Sequence, residues 1–207
     1  MTREEFISIL RRKRYSYEDE GDKIVITKGN KERACIFPAL ETLPPGVEFR
    51  NRGSVYLDSL KTLPPGVEFR NSGAVYLDSL KTIPPDTIFG DTIWCVYLRS
   101  LKTLPLGVVF KNGGQISLDS LETLPSGFIF KGEMSVDLPS LKSIPRGVVF
   151  DLSNHSTVFL ESFIRERKRT TLAIKEYGFK RWSGNIEGIE PNRLLNKMIA
   201  DGLFDRR

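Results

Sequence analysis

The chain has 207 residues, 40% of them apolar, with 31 Lys and Arg against 26 Asp and Glu for a net charge of +5. That supply of apolar side chains suffices for a folded core, and no run of about 18 apolar residues marks a membrane-spanning helix. The first twenty residues lack the apolar stretch and small-residue cleavage site of a secretory signal, so a soluble, cytoplasmic protein is the expectation.

The chain opens with a predicted helix over residues 2–14. Thr2 and Glu5 have capping-box spacing, and Phe6, Ile9 and Leu10 share one face. Residues 1–20 read as an N-terminal helical cap, and the basic run Arg11 to Arg14 is a solvated face balanced by neighbouring acids.

From Leu40 the chain repeats itself. LETLPPGVEFRNRGSVYLDS is followed by LKTLPPGVEFRNSGAVYLDS and then by four looser versions, giving six contiguous units of 20, 20, 21, 20, 20 and 22 residues up to Ser162. A fixed period of this size marks a solenoid, whose units bury their apolar faces only by stacking on each other. Residues 21–39 read as a degenerate first rung, in which Ile24 and Ile26 match Val47 and Phe49 while Cys35 and Phe37 match Val55 and Leu57. About seven coils over residues 21–162 follow.

Within a unit, Val67 and Phe69 flank Glu68, and Val75 and Leu77 flank Tyr76. Two period-2 patterns of this kind predict two short strands per coil, with the flanking residues inward. Pro64 and Pro65 hold an extended corner and Gly66 allows a tight bend. Ser59 and its equivalents, and Asn51, Asn71 and Asn112, read as corner residues that bond turn backbone. Cys35 and Cys95 lie three rungs apart, beyond disulfide reach, and are expected to be free thiols.

The L-x-x-L-P-x-G-V units resemble leucine-rich repeats of the short Leu-Pro kind, and chains built this way also resemble phage and bacterial repeat proteins. The resemblance implies a repeat solenoid and, for a phage-like chain, an inhibitor or adaptor that docks on a host protein. The Asn of the leucine-rich L-x-x-L-x-L-x-x-N-x-L segment is missing, so the expected fold is mainly β, either a parallel β-solenoid or a leucine-rich-repeat-like stack. Beyond Leu160 the period ends, and residues 163–207 read as a C-terminal helical cap containing a basic segment.

Two outward columns are the candidate surfaces. Tyr56, Tyr76, Tyr97, Ser117, Asp137 and Phe159 form one, and its aromatic members are the candidate partner-binding residues. Glu48, Glu68, Ile88, Val109, Ile129 and Val149 form the other, whose four aliphatic members make an apolar stripe for a covering cap or an oligomer interface. A third candidate is the basic segment, with Arg165, Arg167, Lys168, Arg169, Lys175, Lys180 and Arg181 as contacts for nucleic acid or an acidic partner.

Catalytic signals are thin: the single histidine, His155, has no motif around it, and no phosphate-binding loop, nucleophile elbow or zinc signature occurs. The stacked Asp58, Asp78 and Asp119 match no defensible ligand set. The expectation is a non-catalytic protein-binding module without metal or cofactor; a nucleic-acid-binding protein and a structural homo-oligomer are the alternatives.

Overall fold

The computed structural model describes residues 1–30, 33–111, 113–152, 156, 158–160, 196–197 and 199–200. Helix α1, Arg3–Lys13, opens the chain. The Thr2 hydroxyl accepts from the Glu5 N–H and the Glu5 carboxylate accepts from the Thr2 N–H, closing the capping box. Phe6 and Leu10 are fully buried, with the Phe6 ring 5.8 Å from that of Phe37. The helix therefore covers the apolar end of the first rung.

Strand Ser16–Asp19 pairs antiparallel with Ile24–Lys28, and parallel stacking begins from there. Two strands per coil then alternate between two sheets. The first sheet has six strands, running from Ser16–Asp19 through Val47–Phe49 to Val109–Phe110. Ile129–Gly132 and Val149–Leu152 form a separate parallel pair on the same side of the coil. The second sheet stacks seven strands, from Cys35–Ile36 to Val158–Phe159. Seven strands mark six turns from first to last, and the chain is a mainly β, parallel β-solenoid of about six turns with a spacing of about 20 residues. Bridges from Thr103 to Thr123 and from Thr123 to Ser143 link the extended Leu-x-Thr-Leu-Pro side as well.

Register follows the alternation. Ile24 and Ile26 sit beside Val47 and Phe49, and Cys35 sits beside Val55. Gly46, Gly66, Gly107, Gly127 and Gly147 enter the first strand of their units with φ between +71° and +92°, a region that L side chains avoid.

Six inward phenylalanines form the spine of the core. Phe49, Phe69, Phe89, Phe110, Phe130 and Phe150 stack ring on ring, with centroids 5.1 to 5.4 Å apart at every step except 6.3 Å between Phe110 and Phe130. That wider step coincides with the break in the first sheet. Asn51 and Asn71 are fully buried at the corners, where their amides donate to backbone carbonyls of Arg33 and Gly53 and of Gly53, respectively. The expected role is observed at these two positions, and Asn112 lies outside the described residues.

The C-terminal helical cap expected over 163–207 falls almost wholly outside the described residues, so the fold stands as a solenoid with one N-terminal helix. Of that region, residues 196–197 and 199–200 are helical. The Asn196 amide donates to the Phe150 carbonyl and accepts from its N–H, as a further strand would, and Ile199 is buried in the core.

Candidate functional site

The inward residues of the second sheet, Val55, Val75, Val96, Ile116, Val136 and Val158, are all buried. Alternation then places Tyr56, Tyr76, Tyr97, Ser117, Asp137 and Phe159 in one outward column, and the strand register aligns them as successive partners. Parallel stacking is what brings residues some twenty positions apart side by side.

The three tyrosines form a closed ladder. Tyr56 and Tyr76 stack at 4.5 Å and 6°, and Tyr76 and Tyr97 at 4.7 Å and 17°. The Arg99 guanidinium lies 4.5 Å over the outer side of Tyr97, held there by Asp78 at 2.7 Å and Asp119 at 3.7 Å. Both ring faces of Tyr76 and Tyr97 are thereby covered, and these two rings turn edges and hydroxyls outward. Burial, with the neighbouring Tyr56, raises the Tyr76 pKa; the Cys95 thiol and burial do the same for Tyr97, so both phenols stay protonated.

Sequence reasoning missed the most exposed aromatic of the face. Trp94 is 74% exposed and stands on the turn just before Cys95–Tyr97. The signal was present: Trp94 belongs to the 21-residue unit, whose extra residue enlarges this turn. Two open grooves meet at this side chain and share Ser72 and Cys95. One, of about 770 Å³, is lined by the three tyrosines and Asp58; the other, of about 960 Å³, is lined by Asp91, Gln115, Glu133 and Phe159.

Asp137 carries a cost on this face. Burial raises its pKa, the amide of Gln115 works against that by donating to one carboxylate oxygen, and nearby Asp119 raises it further. Its other oxygen is buried without a partner. A folded pKa above the unfolded value means that the native state holds the proton more tightly, so this contribution to stability is lost as pH rises through the folded titration. Asp137→Asn is therefore expected to match the wild type below about pH 3 and to be the more stable protein at pH 7, read by thermal unfolding at both pH values.

The other column divides in two. Glu48 is only 1% exposed, although its position faces outward. Arg50 at 2.5 Å, Arg70 at 3.3 Å and Lys23 at 3.8 Å surround it, and Glu68 joins Arg70 at 2.8 Å and Lys23 at 3.1 Å. These charges satisfy one another. Of the apolar stripe, Ile88 and Val149 are half-buried, while Val109 and Ile129 are 38% and 57% exposed beside the break in the sheet.

Both cysteines are free; Cys35 is buried, which pushes its thiol pKa up to about 12. The basic residues from Arg165 to Arg181, and His155, lie outside the described residues. Among the described residues, no group of three or more His, Cys, Asp or Glu is placed to hold a metal ion, and no helix is long and apolar enough to cross a membrane.

Fold and surface together define the class: a β-solenoid repeat protein with one grooved, aromatic sheet face. Comparison with known protein families, with characterised proteins and with solved structures finds no match to this chain.

Proposed function

We propose that the chain is a non-catalytic protein-binding module, and that its docking face is the outer surface of the second sheet around Trp94. One observation carries this reading: a tryptophan 74% exposed, mounted between two grooves on a turn whose backbone is tied to the neighbouring rungs. Leaving so large an apolar side chain in water forgoes its burial, and tryptophan is among the residues most enriched at interface hot spots. The tyrosine ladder adds a rigid floor that loses little side-chain entropy on binding. The likeness of the Leu-Pro units to leucine-rich repeats supports the reading, since stacked repeats present extended binding surfaces. Free thiols support a reducing, cytoplasmic compartment, where an adaptor or inhibitor of a host protein would act.

The test is capture from a lysate of the source cells, with and without nuclease, using wild type beside Trp94→Ala and a Tyr56, Tyr76, Tyr97 triple alanine variant. The expected result is a protein that survives nuclease and whose recovery falls about tenfold or more with Trp94→Ala. Recovery that ignores Trp94, or that needs nucleic acid, overturns the reading. The exposure of Val109 and Ile129 favours a second reading, a homo-oligomer, in which case the same capture returns only the chain itself.

A further inference from the structure

The docking face is acidic on a chain whose net charge is +5. Asp58, Asp91 and Glu133 line the two grooves, and among the described lining residues Arg52 is the one cation that opposes them. Asp91 and Glu133 border the same groove as Trp94, and among the described residues neither forms an ion pair. Just beyond the grooves, Asp78 and Asp137 each keep a buried carboxylate oxygen without a hydrogen-bond partner. Burial and the charge of Asp78 raise the Asp58 pKa, so stacking acids at rung spacing already works against their ionisation.

The chain also displays, on this face, what such a surface accepts. Arg99 lies over the Tyr97 ring at 4.5 Å and reaches Asp78 at 2.7 Å and Asp119 at 3.7 Å, a guanidinium held between an aromatic ring and two carboxylates. Trp94 with Asp91 and Glu133 repeats those ingredients, and among the described residues no cation pairs with either acid. The indole offers free surface, and the two acids line the groove beside it. A phosphate polyanion meets repulsion at every one of these carboxylates, whereas a cation gains both from them and from the ring.

Resting on the docking reading above, we infer that the partner presents a cationic polypeptide segment, and that an arginine or lysine side chain of it seats on Trp94 between Asp91 and Glu133. Arginine fits best, because its planar guanidinium stacks on the indole while its N–H groups meet the carboxylates. Asp58 extends the acidic track along the neighbouring groove and favours a segment with several basic residues over a single one.

The experiment uses the full chain and a fluorescein-labelled nona-arginine peptide, read by anisotropy at low salt, with nona-glutamate as the control. Nona-arginine is expected to bind and nona-glutamate not. Trp94→Ala is expected to weaken binding about tenfold and Trp94→Phe to retain most of it. The pair Asp91→Asn with Glu133→Gln is expected to cost about tenfold as well, while Glu4→Gln with Glu18→Gln, equal in charge but off the face, leaves affinity unchanged. No binding, or the same loss from both pairs of neutralised acids, overturns the proposal, because diffuse attraction then explains everything. The captured partner separates the two levels of the argument. Recovery that needs Trp94 but withstands the Asp91 and Glu133 changes leaves the docking face standing and overturns its cationic occupant; recovery indifferent to all of them overturns both.

Discussion

Replacing Phe89 with alanine lowers stability by about 3–5 kcal/mol. Phe89 is fully buried, with Phe69 stacked at 5.3 Å on one side and Phe110 at 5.1 Å on the other. Truncation removes the buried ring, two stacking contacts and the packing between them. The cavity has little chance to close, because hydrogen-bonded strands above and below hold the rung spacing. Whole domains have net stabilities of about 5–15 kcal/mol, so the loss is a large share of what holds this one together. Equilibrium urea unfolding followed by circular dichroism measures it. A drop under about 1.5 kcal/mol, the usual limit for a tolerated repacking, means that the phenylalanine spine is not the principal core. In a repeat array each coil touches only its neighbours, so weakening the third repeat unit is also expected to broaden the transition as the two halves uncouple.

Gly114→Ala disturbs fold and face together. A Cβ built on Gly114 falls 1.6 Å from the Trp94 carbonyl oxygen and 2.7 Å from its carbon, and neither backbone atom can rotate aside. The turn must move. Two ladder bonds are at risk, Gln115 N–H to the Trp94 carbonyl at 2.9 Å and Ser135 N–H to the Gly114 carbonyl at 2.7 Å. Losing both with the accompanying strain costs on the order of 2–4 kcal/mol. Because the displaced carbonyl is that of Trp94, partner capture is expected to fall even at temperatures where the variant remains folded. Gly113 supplies the control, since a Cβ there meets nothing within 4 Å. Gly113→Ala should keep wild-type unfolding. Equal thermal unfolding of the two variants would mean that the turn is not packed as described.

Much of this architecture was readable from residues alone, for reasons that are local or periodic. The Thr2 and Glu5 spacing specified a capping box because both partners lie within one helical turn. The recurrence of Val, Tyr and Leu at a nearly constant interval specified the columns, since equal units stack in register when the same apolar positions must turn inward. Tyr56, Tyr76 and Tyr97 were aligned correctly on that basis.

Other features needed the folded chain. Glu48 belongs to an outward column, yet it is sealed by Lys23 from the first rung, Arg50 from its own unit and Arg70 from the next. Only the stacked coils bring those three cations to one carboxylate. The tyrosines looked like open contact area in the sequence; at 4.5 to 4.7 Å their rings cover one another and leave edges outward.

The sequence by itself determined the coil: its period, its two strands, which residues face the core and the helix that covers its beginning. Those properties depend on neighbours along the chain or on exact repetition, and both can be counted. The tertiary structure alone decided what the irregular units expose. An extra residue in one unit turns Trp94 out between two grooves, and along the outward aliphatic column Val109 and Ile129 stand exposed while Ile88 and Val149 are half-buried. Exposure depends on how each irregular unit settles against regular ones, and that balance of packing is written in no single repeat.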